Sequence, residues 1–220
     1  MALAIFDLDH TLIDGDSDYL WGEYMVENNL VNAEEYRQRD KSFNLVDPRG
    51  TLDNDTYLHF SLQPLTQYST AQLYEWRADY VDKWIKPLIV KGAKSLLHSH
   101  RERGDILLII SATNFFITEP IATLLGVPHL LSTHPEIINN RYTGRYHLPA
   151  TFREGKITAL NLWMKDHSYD LIGSSFYSDS INDLPLLNEV EFPITVNPDD
   201  ELKAIALSRN WPILDLNITK

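Results

Sequence analysis

Apolar residues gather in short runs that end on acids or hydroxyls. Leu3–Leu8 closes on carboxylates, Ile106–Ile110 leads into Ser111, and a weaker run at Leu171–Tyr177 leads into Ser178 and Asp179. Runs of this length predict strands buried on both faces, with polar groups at their tips. Ile194–Val196 and Ile213–Leu216 predict two further strands. Between them, helical spacing is visible at Lys91–Arg103, Phe116–Leu125, Lys156–Lys165 and Glu201–Arg209. Strands alternating with helices predict an α/β fold, a doubly wound parallel sheet. Ligands of such sheets collect at the carboxyl ends of the strands, where Asp7, Ser111 and Asp179 would stand.

One stretch breaks this alternation. Residues 15–86 contain no clear strand but several aromatic-rich helical segments, which predicts an inserted helical subdomain, leaving 1–14 and 87–220 as the core. Trp76, Tyr80 and Trp84 recur at spacing four and predict the insert's own core stripe. Pro135–Thr151 alternates around Arg141–Tyr146 like a hairpin.

Composition narrows the chemistry. A formal net charge of -12 makes a nucleic-acid backbone an improbable partner, and the absence of cysteine excludes thiolate catalysis, thiolate metal sites and disulfides. The start of the chain lacks the basic flank and long apolar stretch of a secretory signal. No run approaches the ~20 apolar residues of a membrane span. The expectation is a soluble, cytoplasmic protein that does not engage a membrane, whose metal, if any, is held by oxygen or imidazole.

Asp7 and Asp9 lie two apart at a strand end, so their side chains share a side. Crowded acids resist joint ionisation, which calls for a cation or for divided protonation states, as a nucleophile and an acid/base require. Asp179 and Asp183, with Asn182, form a second acidic loop of hard oxygen donors that suits magnesium. Ser111-Ala112-Thr113-Asn114 follows a strand and precedes a helix, a place where hydroxyls and N–H groups can hold phosphate. Lys156 opens a helix upstream of the third strand and can offset charge repulsion.

Acid pair, hydroxyl loop, lysine, acid pair: in that order the chain resembles the haloacid dehalogenase superfamily of phosphatases, in the phosphoserine phosphatase-like branch with a helical cap. Asp7, Asp9 and Thr11 match the first motif, Ser111 the second, Lys156 the third, Asp179 and Asp183 the fourth. The resemblance implies that Asp7 attacks phosphorus and that Asp9 serves as acid, then base. Magnesium would be held by Asp7, the Asp9 carbonyl and Asp179, with Asp183 behind them or reaching through water. Ser111, the Ala112 N–H and Lys156 would hold the transferring group, with Thr11, Thr113 and Asn182 beside the substrate. Ala112 and Thr113 depart from the common Ser-Gly-Gly form and would reshape the space beside the phosphate. Asp16 stands where the branch often reads a substrate amine, and Arg37, Arg39, Arg49 or Arg77 would read a carboxylate.

The resemblance thus implies a phosphoric monoester hydrolase acting on a small phosphorylated, amine-bearing metabolite such as phosphoserine or histidinol phosphate. The cap would open and close, hinged near Gly15 and Pro87. A phosphotransferase or mutase using the same aspartyl-phosphate, a signalling receiver and a silent binding protein are the alternatives. The eight histidines show no paired ligand spacing, and His10 is expected near the site entrance rather than on a metal.

Overall fold

The computed structural model describes residues 1–46 and 54–217, with side chains described for 1–41 and 54–217. Arg49 lies outside the described residues. A seven-stranded sheet organises the chain, in the order β4-β3-β2-β1-β5-β6-β7. The strands are β1 (Leu3–Phe6), β2 (Ile106–Asn114), β3 (His129–Ile138), β4 (Arg141–His147), β5 (Ser175–Ser178), β6 (Phe192–Val196) and β7 (Ile213–Leu214). Every pairing is parallel except β3 with β4. The chain runs outward from β1 through β2 and β3, then returns to β1's other side with β5. The order therefore reverses between β1 and β5, the position at which such sheets open a crevice.

The reason β1 is apolar throughout is visible in its packing. Ala4 and Phe6 join the core on one face, and Leu3 and Ile5 join the core on the other. The same alternation divides Leu107 and Ile109 from Leu108 and Ile110 on β2. Helices α5 (Lys91–Glu102) and α6 (Phe115–Leu125) cover the first face through Ala93, Leu97, Phe116 and Ile121. The second face is covered by α7 (Glu154–His167), α8 (Leu184–Leu187) and α9 (Asp200–Arg209), through Leu160, Met164, Leu186 and Leu202.

The region expected to be helical is so: α1 (Ser17–Glu27), α2 (Ala33–Val46), α3 (Asn54–Leu62) and α4 (Thr70–Tyr80) follow β1 without a strand among the described residues. Its two connections to the sheet are stitched together, since Ile13 bridges Ile89 and Asp14 N–H donates to the Leu88 carbonyl at 2.8 Å. Trp21 and Tyr80 make edge contacts with each other, and Trp21 with Phe116 of α6. The insert and the sheet thus share one apolar cluster. Tyr80 is fully buried there, and Trp76 and Trp84, partly buried, pack against the same cluster, as a core stripe should.

Three expectations need correction. The run Leu171–Tyr177 becomes strand only at Ser175, because Gly173 adopts φ +71 and Ser174 N–H turns back to the Leu171 carbonyl at 3.1 Å. β2 continues through Ser111 to Asn114 rather than stopping at Ile110. The hairpin near Arg141 has a first arm that starts earlier, at His129. That arm pairs parallel with β2 before turning antiparallel to β4 through Asn139 and Asn140, both at positive φ. No helix among the described residues is long and apolar enough to cross a membrane.

Candidate active site

β1, β2 and β5 are neighbours, and their carboxyl ends bring Asp7, Ser111 and Asp179 to one edge. Asp7 N–H still donates to the Tyr177 carbonyl at 2.9 Å, so its backbone is anchored by the sheet. After Leu8 the chain coils back on itself, with Leu12 N–H bonded to the Leu8 carbonyl at 2.9 Å. That turn buries Thr11 completely and sends its hydroxyl to Asp179 Oδ1 at 3.0 Å. The first and fourth motifs are therefore linked directly.

Lys156 supplies the charge balance. Its side chain is buried, and its ammonium reaches Asp7 Oδ1 at 2.8 Å and Asp183 Oδ1 at 2.7 Å and Oδ2 at 2.8 Å. Burial pulls the Lys156 pKa down, but Asp183 and Asp7 raise it further, so the ammonium stays charged. Ser178 also donates to Asp183 Oδ2 at 2.7 Å, which makes Asp183 a partner of Lys156 with both oxygens engaged. Asp7 is held well above the usual carboxylate range by burial, opposed by Lys156 and reinforced by Asp183 and Asp179. Asp179 is pushed up to about 6, again chiefly by burial, with Thr11 opposing.

Asp9 has a different set of partners. Ser17 N–H donates to its Oδ1 at 2.7 Å, and Thr113 and Ser111 hydroxyls reach Oδ2 at 2.8 and 3.5 Å. Its pKa is raised by burial and by Asp16, against these donors. Of two carboxylates two residues apart, one is thus tied to a cation and the other to neutral donors. Such a pair can divide nucleophilic and proton-transfer work. Thr113, expected beside the substrate, donates instead to Asp9. Ala112 between these hydroxyls is exposed. The loop that carries Lys156 is tied to the second motif by Thr151, whose hydroxyl donates to the Ser111 carbonyl at 2.6 Å.

Magnesium fits this donor set. Asp7 and Asp183 share the Lys156 ammonium and Asp179 has only the Thr11 hydroxyl; burial first, and repulsion among the three carboxylates second, raises Asp7 and Asp179, and a cation would relieve both. The Lys156 and Thr11 donors occupy Asp7 Oδ1 and Asp179 Oδ1 and not the second oxygen of either group. Among the described residues no three carboxylate or imidazole side chains form a complete cage. Magnesium needs none, since it keeps waters and substrate oxygens beside one or two carboxylates. Exposed His10, at φ 55, sits within electrostatic range of Asp179.

Asp16 caps α1: its Oδ1 accepts from Asp18 and Tyr19 N–H groups, both at 2.9 Å. The sequence did not single out Asp18. It is 8% exposed, accepts Tyr57 OH at 2.7 Å and Asn114 Nδ2 at 3.2 Å, and is pushed up to about 7 by burial and Asp16. Of the cap arginines, Arg37 forms a bidentate pair with Glu23, and Arg77 donates to the Phe116 carbonyl at 2.8 Å and pairs with Glu119. Arg39 lies over the Phe60 ring. Asn182 accepts Arg153 Nε at 3.0 Å, a contact absent from the sequence reading.

Against known proteins, the model of the haloacid dehalogenase-like hydrolases matches residues 4–188. The chain belongs to that family. A histidinol-phosphatase of Neisseria meningitidis serogroup C is 42% identical over 217 residues, 97% of this chain and 98% of that one. A phosphoserine phosphatase of Mycobacterium tuberculosis is 27% identical over 222 residues, 100% of this chain and 72% of that one. The crystal structure of a Bordetella pertussis protein of unknown function superposes with a TM-score of 0.93 at 38% identity, covering 98% of each chain. A substrate-bound phosphoserine phosphatase shares the fold at a TM-score of 0.65 and 17% identity, over 92% of this chain and 89% of that one. The chain is a phosphomonoesterase of this family.

Proposed function

We propose that the protein hydrolyses a small amine-bearing phosphomonoester, histidinol phosphate first among candidates, through a phosphorylated Asp7. The observation that carries this reading is the pairing of Asp7 with buried Lys156 while Asp9 is held separately by Ser17, Ser111 and Thr113.

In this mechanism Asp7 attacks phosphorus, and the ester oxygen leaves with a proton from Asp9, whose burial favours the protonated form. The ionised Asp9 then takes a proton from water as water attacks the aspartyl-phosphate, and inorganic phosphate departs. Lys156 remains charged throughout and compensates the anion that meets Asp7. Ser111, the Ala112 N–H and Asn182 are assigned to the phosphate oxygens, and Thr11 to orienting Asp179. Magnesium, when bound through Asp7, the Asp9 carbonyl and Asp179, supplies further charge compensation, with Asp183 behind them on Lys156. Residues 15–86 are proposed to cap the core formed by 1–14 and 87–220. Asp16 uses only Oδ1 in its helix cap, and its carboxylate is assigned to the cationic end of the substrate. The 42% identical relative's name supports histidinol phosphate over phosphoserine.

The test is phosphate release from a panel including histidinol phosphate and phosphoserine, with magnesium and then with chelator. Turnover concentrated on histidinol phosphate, lost with chelator and abolished in Asp7→Asn, is the expected result. Equal rates across the panel would remove the substrate assignment, and an active Asp7→Asn would remove the nucleophile.

A further inference from the structure

Arg153 occupies a backbone conformation that a non-glycine residue adopts only under constraint. It is the N-cap of α7, with φ 49 and ψ -121. The positive φ places it on the glycine side of the map, and the ψ lies far from the left-handed helical well that other side chains tolerate. The surrounding loop fixes it there. Gly155 N–H bonds to the Phe152 carbonyl at 2.8 Å and Lys156 N–H to the Arg153 carbonyl at 3.0 Å. Ala150 crosses so closely that a Cβ at Gly155 would sit 1.9 Å from its carbonyl oxygen. A glycine at 153 would satisfy this backbone better, so what the arginine adds to the fold lies in its side chain.

That side chain reaches the acidic loop. Arg153 Nε donates to Asn182 Oδ1 at 3.0 Å, and the guanidinium lies over the Phe152 ring, 5.1 Å from its centre. Three residues on, Lys156 grips Asp183, the neighbour of Asn182. The start of α7 therefore holds two successive residues of the acidic loop. The chemistry of the first grip is directional. A guanidinium N–H can only donate, so the Asn182 oxygen must face it and the NH2 group must be turned away. Asn182 is thereby set as a donor, the polarity an anionic ligand needs.

We propose that Arg153 is a positioning residue that fixes Asn182 with its NH2 presented to the transferring phosphoryl group. This rests on the reading of the Asp7 site given above. Arg153 touches neither substrate nor nucleophile in this scheme and acts through Asn182.

Arg153→Gly separates this role from a structural one, because it relieves the backbone while deleting the side chain. The measurements are thermal melting, calorimetric binding of inorganic phosphate in the presence of magnesium, and kcat and KM, on the wild type, Arg153→Gly, Asn182→Ala and the double variant. The expected result is an Arg153→Gly protein that melts at or above the wild-type temperature yet binds phosphate roughly tenfold more weakly. Its kcat should fall by a similar factor, and the double variant should be no worse than Asn182→Ala. Phosphate affinity unchanged in Arg153→Gly, or losses that multiply in the double variant, would overturn the inference. The binding arm is independent of turnover. If the wild type hydrolyses no ester while the non-additive loss of phosphate affinity persists, the hydrolytic reading fails and the positioning role stands.

Discussion

Asp18→Asn should stabilise the protein at alkaline pH and not at acid pH. The wild-type carboxylate is 8% exposed, sits close to Asp16, and titrates at about 7 in place of 3.8. Between those values the folded state keeps a proton that the unfolded chain has released. Stability therefore falls as pH rises through the window, from full strength below about 4 to its minimum above about 7. Roughly three units at ~1.4 kcal/mol each set a ceiling of ~4 kcal/mol, and relaxation around the ion brings the expected change to ~2–4 kcal/mol. Asparagine removes the charge but keeps an acceptor for Tyr57 OH. Its NH2 takes the place of the oxygen that accepts Asn114 Nδ2, so the Asn114 amide must flip, which brings its Oδ1, buried without a partner among the described residues, round to accept. Urea unfolding of both proteins at pH 5 and pH 8 measures the effect as a difference of differences, which cancels the titration of every group not coupled to Asp18. Between pH 5 and pH 8 only the two pH units from 5 to about 7 are sampled, so the variant should gain ~1.5–2.5 kcal/mol over the wild type between the two pH values. A difference constant to within ~0.5 kcal/mol would refute the account of Asp18 as a buried, destabilising ion.

Two further substitutions test the site. Thr11→Val deletes the hydroxyl on Asp179 Oδ1 and should raise the magnesium concentration for half-maximal activity about tenfold, with kcat at saturating metal nearly kept; an unchanged magnesium titration would separate Thr11 from the metal. Lys156→Met leaves Asp7 and Asp183 buried without their cation, so a stability loss of about 3–5 kcal/mol and a fall in kcat of at least ~100-fold are expected. A variant retaining a tenth of wild-type activity would show that the ammonium is not needed for charge compensation.

The strands that stand out most in the sequence are those with both faces buried, although the short edge strand β7 is also legible. β1 and the first half of β2 send alternate residues into two cores, so every position must be apolar and the run stands out. β3 was not legible because it changes partners midway. Its first residues lie beside β2 and its last beside β4, and His129, Ser132, His134 and Pro135 break any continuous apolar run. The available signal was the adjacent pair Asn139-Asn140, a residue type that accepts positive φ in tight hairpin turns. The insert's helices were legible as a class from aromatic content and the lack of strands.

The site divides in the same way, between what is local in the chain and what is not. Asp7, Asp9, Asp179 and Asp183 stand out in the sequence because each acid pair lies within a few residues at or just after a strand, and Lys156 because it opens a helix. The groups that set their states come from elsewhere. Ser178 holds Asp183 from within its own motif, but Thr113 reaches Asp9 across 104 positions and Arg153 reaches Asn182 across 29. Asp16 and Asp18 make the contrast sharpest. Spacing from Asp7 singled out Asp16, a position equally suited to capping a helix, and its Oδ1 does cap α1. Asp18 looked like one more acid in a polar turn, yet Tyr57 and Asn114 enclose it from 39 and 96 residues away. Spacing identifies which carboxylates are near a strand end; which of them is buried, and at what pH it ionises, is decided by side chains that only the folded chain brings up.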